Sequence, residues 1–231
     1  MKRSVPPASP LAAMLGLPST MLGLKPVEFV SVGRSVPRGL LQAVEVGEVE
    51  RSEKPIQQFI EKHPVALVSL VIAHRVWVFP RQMLGKSLGG GWVPDFLLCD
   101  WNSMGPQWTI VELESPTVCP INRSGISAAL RHAQMQISDY RRHMAENWKD
   151  LERVGMPRTK QLLKSWIIVG RRTQHSEDNQ ARLADFREDK IEVASYDRLL
   201  ERCIDMADFR TRDRRAARMW LKGPGAKTVA P

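Results

Sequence analysis

Val93-Pro94-Asp95-Phe96-Leu97-Leu98-Cys99 and, shortly after it, Trp108-Thr109-Ile110-Val111-Glu112-Leu113-Glu114 are apolar runs broken by carboxylates. Their β-branched and aromatic content predicts two strands. The segment Asn102 through Pro106 carries turn-forming residues and is short enough to fold the two runs into a hairpin. A carboxylate inside an apolar strand is costly unless it is paired, solvated or bound to a metal, so Asp95 calls for an explanation. So do Glu112 and Glu114. By the period of two they share one strand face with Ile110, while Val111 and Leu113 point the other way. Two carboxylates about 7 Å apart on one face, with a third from the neighbouring strand, repel one another in a low-dielectric cleft. A hard divalent cation, Mg²⁺ or Mn²⁺, relieves that repulsion through oxygen ligands and brings water to the site. The competing reading is a solvated strand end with no chemistry.

Outward from this hairpin the elements alternate. Upstream, Ser52 offers a capping hydroxyl, Glu53 lies in a first turn where the helix dipole favours an anion, and Pro55 is tolerated there. The apolar stripe Ile56, Phe59, Ile60 predicts a helix ending near His63-Pro64. Residues 66–72 read as a helix end and 74–79 as a strand, with Gly89-Gly90-Gly91 marking the next turn. Downstream, Ile126, Leu130, Ala133, Ile137, Tyr140 and Met144 recur at steps of three and four, predicting a helix over 124–148. Trp166 to Val169, ended by Gly170, suits a strand buried on both faces. Ile191 to Tyr196 reads as another strand. Residues 197–218 read as a helix whose end carries Arg210, Arg212, Arg214, Arg215 and Arg218. The order is helix, three strands, helix, strand, with a strand and a basic C-terminal helix appended. It predicts an α/β domain with a mixed sheet flanked by helices. Residues 1–50, with Pro- and Gly-containing stretches and only short apolar runs such as Val27 to Val32, are expected to be a partly irregular extension outside the core. The expected division is 1–50 extension, 51–222 domain and 223–231 tail.

Bulk properties narrow the function classes. A chain of 231 residues holds one sizeable domain plus an extension. No run reaches the roughly 18 apolar residues of a membrane span, so no membrane partner is expected. Pro6, Pro7, Pro10 and Pro18 break the apolar stretch that a secretory leader needs. Cys99, Cys119 and Cys203 are widely spaced, which indicates neither a disulfide framework nor a zinc site and predicts a reducing, cytoplasmic setting. A net charge of +9 fits a polyanionic partner, although solubility alone also accounts for it. Arg123, Arg131, Arg141, Arg142, Arg171 and Arg172 are candidate phosphate contacts, and Trp92, Trp101 and Trp108 either stack on bases or pack. His132, His143 and His175 have no metal-ligand spacing.

Pro94-Asp95 followed across a hairpin by Glu112-Leu113-Glu114 resembles the bipartite signature of the PD-(D/E)XK nuclease superfamily. Within it, Pro94 to Leu98, Val111 to Pro116, Gln136 to Arg141, Ile167 to Arg171 and Ser195 to Leu200 resemble the nuclease domain of Shedu-type anti-phage defence proteins, over about residues 52 to 203. The resemblance implies a restriction-endonuclease-like αβββαβ core and Mg²⁺- or Mn²⁺-dependent cleavage of DNA, such as phage DNA. It also implies a homo-oligomer and no small-molecule cofactor. In that family pattern Asp95, Glu112, the Leu113 carbonyl and Glu114 hold the metal, with Glu114 orienting or deprotonating the attacking water. Gln136 and Tyr140, one helical turn apart, resemble the glutamine and tyrosine of RecB-like members, which orient the phosphate or the carboxylates. The structural alternative makes Tyr140 core and Gln136 its border. Glu53 matches a helical acid of many members, though dipole compensation is the favoured reading.

One departure stands out, because Glu114 occupies the place where the superfamily usually has lysine. Lys86, Lys160 and Lys164 are near only in sequence. The alternative function is therefore a catalytically inactive nuclease fold that binds nucleic acid or another protein. A glycosidase is disfavoured, since its two acids flank a sugar bond at roughly 5 to 9 Å rather than crowding on adjacent strands.

Overall fold

The computed structural model describes residues 18–28, 33–71, 75–88, 91–122, 125–159, 163–174 and 190–207. Strand β1 (Val27–Glu28) precedes helices α1 (Ser35–Glu50) and α2 (Lys54–Lys62) and the single turn α3 (Val65–Val68). Strand β2 (Arg75–Pro80) runs into the short helix α4 (Arg81–Ser87), and the hairpin β3 (Phe96–Asn102) and β4 (Gly105–Leu113) follows. A small ribbon, β5 (Ile121–Asn122) and β6 (Gly125–Ile126), leads to helices α5 (Ala128–Glu146) and α6 (Trp148–Arg153). Strands β7 (Lys164–Ile168) and β8 (Ile191–Ala194) complete the sheet, and a helix at 196–207, α7, closes the described chain.

The six strands form one mixed sheet in the order β1-β2-β3-β4-β7-β8. The first four pair antiparallel, whereas β4-β7 and β7-β8 are parallel. Alternation along each strand feeds two cores. Phe96, Leu98, Val111, Leu113, Trp166 and Ile168 pack with α1, α2, α3 and α7 on one face. Leu97, Cys99, Trp108, Ile110 and Ile167 pack with α4, α5 and α6 on the other. Each fully buried aliphatic side chain contributes roughly 1.5–3 kcal/mol, so both helical layers are held chiefly by apolar burial. The result is an α/β protein whose mixed sheet is flanked by helices, an architecture compatible with a nuclease-like core. The predicted hairpin is present, with Phe96 opposite Val111 and Asn102 opposite Gly105.

The N-terminal part departs from expectation. Residues 35–50 are not irregular but form α1, which buries Val36, Leu40, Val44 and Gly47 in the core. Pro37 sits in its first turn, where a missing N–H costs nothing. Smaller shifts occur at element ends. Asp95 immediately precedes β3 rather than lying inside it, and α2 begins at Lys54 with Glu53 at its N-cap. Ser52 does offer its hydroxyl, accepting from the Lys54 N–H at 3.2 Å. The cap of α5 is Ser127, which accepts from the Leu130 N–H at 3.2 Å. Ser124 and the arginines at 210–218 lie outside the described residues.

Beyond β7 the chain passes under the segment that follows β4. Gly170 adopts φ +66°, and a Cβ there would stand 2.2 Å from the Val118 carbonyl oxygen, so only glycine fits. Its N–H donates to Ser115 O at 3.3 Å and its carbonyl accepts from Tyr196 N–H at 3.0 Å. These bonds fix the backbone just after Glu114.

Candidate functional site

Carrying the hairpin register one pair beyond Phe96 and Val111 sets Asp95 opposite Glu112. Each is only 5% exposed. The Asp95 N–H donates to Glu112 Oε1 at 3.3 Å, and the Leu113 N–H donates to Asp95 Oδ2 at 3.0 Å. The other Asp95 oxygen, Oδ1, accepts from Arg81 Nη1 at 3.0 Å and Gln57 Nε2 at 3.4 Å. Arg81 opens α4 directly behind β2, the neighbour of β3, which is how a residue distant in sequence reaches the site.

Burial and crowding act together on these acids. Burial pushes the Asp95 carboxyl above its ordinary range, and the Leu113 N–H and the Arg81 charge offset only part of the rise. Glu112 is raised well above its ordinary value, first by burial and then by the neighbouring Asp95 charge. Glu114, half-buried past the strand end, is pushed up to about 7 by burial and by the charges of Glu53 and Asp95. Its N–H donates to Ile168 O at 2.9 Å, and its carbonyl accepts from Tyr196 OH at 2.7 Å. Two neighbours of the site were not read from the sequence as contacts of Asp95: Gln57 and Arg81. Tyr196 is a third addition, acting on the Glu114 backbone. Gln57 lies one turn after Glu53, a spacing that sets the two on one face of α2 and is readable from the sequence. Arg81 carries no comparable local signal, and Tyr196 stands out only as part of the stretch Ser195 to Leu200 that bears the family resemblance.

Glu53 sits at the N-cap of α2 without a side-chain capping bond, and its charge is felt at Asp95, Glu114 and Tyr196. It therefore belongs to the rim of the acidic site as well as to the helix terminus. Tyr140 projects from α5 into the same region. Its hydroxyl donates to Val93 O at 3.3 Å, and burial followed by the Glu112 charge holds the phenol in its neutral form. Gln136 is half-buried one helical turn earlier. Trp92 is 37% exposed and stands edge-on to Tyr140 and stacked on His143, beside the acids. Trp108 is core, donating its indole N–H to Pro157 O at 2.7 Å, and Trp101 packs edge-on against Trp77.

The candidate phosphate-binding arginines divide. Arg171 bridges Glu48 and Asp197 at 2.8 and 2.9 Å and is 15% exposed, so its charge is spent inside the fold. Arg172 holds Glu201 through both terminal nitrogens at 2.7 and 2.8 Å. Arg141 donates to Ser165 Oγ and Lys190 O, each at 3.1 Å. Arg142 pairs with Asp139 on the surface of α5, and Arg131 is exposed on the same helix. Arg123 lies outside the described residues. A cavity of about 360 Å³ lined by Arg158, Lys164, Lys190 and Trp108 opens at the other end of β4 and β7, away from the acids.

As for a metal, Asp95 and Glu112 present buried hard oxygens side by side, and among the described residues Glu112 forms no ion pair. The chemistry of that donor set suits a divalent cation with oxygen preference. Among the described residues, however, no three acidic, histidine or cysteine side chains stand close enough to share one ion. Glu114 borders the pair rather than completing it.

A mixed-sheet α/β domain with helices on both faces and a buried acidic pair at the open end of its central hairpin is the class that fold and site define. Residues 50–200 match the family described as Shedu protein SduA, C-terminal, and the chain belongs to that family. No curated protein is significantly similar to it. Among the described residues, no helix is long and apolar enough to cross a membrane.

Proposed function

We propose that this protein is a metal-dependent endonuclease that hydrolyses DNA in anti-phage defence, on a PD-(D/E)XK-type core. The observation that carries the reading is the placing of Asp95 against Glu112, both buried, at the end of the central hairpin. Membership of the Shedu family supports the defence role. Asp95, Glu112 and the Leu113 carbonyl would hold Mg²⁺ or Mn²⁺, with Glu114 at the border. A cation there would supply Lewis acidity for attack at phosphorus. Glu114, at the border of the pair, would take a proton from the attacking water. Gln57 and the Leu113 N–H fix the orientation of the Asp95 carboxylate. Tyr140 orders the backbone entering β3 through Val93, and Gln136 offers an amide to the phosphate.

Supercoiled plasmid incubated with Mg²⁺ or Mn²⁺ tests the reading. Nicking or linearisation is expected, with Glu112→Ala and Asp95→Asn each lowering the rate on the order of 10²-fold or more. Cleavage that persists unchanged in Glu112→Ala would overturn it.

A second reading, a nuclease fold that binds DNA or protein without turnover, is favoured by two features. Arg81 occupies Asp95 Oδ1, and Glu114 replaces the lysine usual in the superfamily. Calorimetric titration with Mn²⁺ separates the two, because an abandoned site binds no metal through Asp95 and Glu112.

A further inference from the structure

Arg81 is the one cation among the described residues that is ion-paired with an acid of the cluster. The contact is lopsided. Asp95 is 7% exposed at its side chain, whereas Arg81 is 56% exposed and touches the carboxylate through Nη1 alone. Its remaining guanidinium N–H groups have no partner among the described residues. An arginine engaged for structure alone uses its planar fork more fully, as Arg172 does on Glu201. Arg81 instead keeps most of its donors at the mouth of a buried acidic pair. A guanidinium in that posture matches a phosphate oxygen.

We propose that Arg81 is the phosphate-binding cation of this site, held on Asp95 while the site is empty of metal and released to a DNA phosphate when a divalent cation takes the carboxylate. The proposal rests on the nuclease reading for the identity of its substrate. It assigns to a residue of α4 the positive charge that position 114 lacks. Trading one cation for another keeps Asp95 neutralised throughout, so the buried carboxylate is never left unpaired. No bond is made or broken in the exchange.

Two equilibrium measurements test this apart from turnover. The first is binding of a fluorescently labelled DNA duplex in Ca²⁺, followed by anisotropy across a range of salt concentrations. Each phosphate contact contributes about 0.9 to the slope of log affinity against log salt, so Arg81→Ala is expected to flatten it by about one. Arg81→Lys, which keeps the charge, is expected to restore the slope. The second is calorimetric titration of the DNA-free protein with Mn²⁺. Removing a cation that competes for Asp95 is expected to tighten binding about threefold or more in Arg81→Ala. A merely structural Arg81 would leave the slope alone and weaken the metal.

An unchanged salt slope, absent DNA binding by the parent, or loss of Mn²⁺ affinity in Arg81→Ala would each overturn the assignment. If both shifts occur but the parent never cleaves DNA, Arg81 keeps its role and the nuclease reading fails. If the parent cleaves and Arg81→Ala shows neither shift, the nuclease reading stands and this assignment falls. When both hold, Arg81→Ala at saturating Mn²⁺ should cleave on the order of 10²-fold more slowly, with Arg81→Lys between.

Discussion

Holding the Glu112 carboxyl in the interior beside Asp95 works against its ionisation, and that opposition is a stability cost whenever the site lacks a cation. The neighbouring N–H of Asp95 needs an acceptor but not a charged one. An amide oxygen serves as well. Glu112→Gln is therefore expected to stabilise the metal-free protein by about 1 kcal/mol near pH 7.5 while abolishing cleavage, as substitutions that relax strained functional sites commonly do. Urea unfolding in EDTA checks the first half. A lower midpoint than the parent would mean that Glu112 is held by attractive contacts and that the acidic pair is structural. At this scale the sequence was informative where the signal is local. Asp95 and Glu112 stand out because an apolar strand rarely tolerates a carboxylate, and the hairpin then allows few alternatives to setting them face to face. Arg81, Gln57 and Tyr196 arrive from α4, α2 and α7, and an arginine at the start of a short helix looks the same whether or not a buried aspartate lies in reach.

Element α1 shows where pattern reading lost ground. Ser35 to Glu50 carries Pro37, Gly39 and Gly47 among β-branched valines, which reads locally as a loop-forming mixture. Tertiary packing overrides that preference. A Cβ at Gly39 would strike the Phe59 ring at 2.5 Å, so that glycine lets the helix lie close on α2, and a Cβ at Gly47 would stand 2.7 Å from Ser52 O in the turn between the two helices. The helix α5 was legible because its stripe repeats over many turns, and Ile137 and Met144 are fully buried as that stripe requires. The packing of α1 makes a firm expectation. Leu40 and Val44 have no exposed surface, and together with Val36 their burial is worth roughly 5 kcal/mol, a large share of the 5–15 kcal/mol that holds a domain together. A chain shortened to begin at residue 51 is expected to lose cooperative thermal unfolding and to bind a hydrophobic dye. A sharp transition close to that of the full chain would show that α1 is dispensable and that the core closes without it.

Across the whole molecule, two groups of acids respond to pH in opposite senses. The hairpin acids hold protons more tightly folded than unfolded, with Glu114 at about 7, so the folded state carries extra protons above the ordinary carboxylate range. The contribution of Glu114 to metal-free stability is fully present below about pH 4.3 and is lost as pH rises through about 7, and those of Asp95 and Glu112 are lost in the same direction, through their own raised folded values. Asp197 behaves the other way. Burial alone would raise its carboxyl, but hydrogen bonds from the Arg171 side chain and the Arg172 N–H outweigh that and hold it below its ordinary value. That pairing, extended by Arg171 to Glu48, ties the end of β7 to α1 and α7. Its stabilisation is present above about pH 3.9 and disappears as pH falls through the lowered folded value. With these two groups acting together, the metal-free protein should be most stable near pH 4, where the two windows meet, rather than at neutrality. Thermal midpoints measured in EDTA from pH 3 to 8 are expected to trace that maximum. Asp197→Asn should remove most of the acid-side decline along with about 1–3 kcal/mol of stability at the maximum, and saturating Mn²⁺ should flatten the neutral-side decline. A profile that rises steadily to pH 8 in EDTA would show that Asp95, Glu112 and Glu114 are already neutralised within the fold, which would leave a cation nothing to relieve.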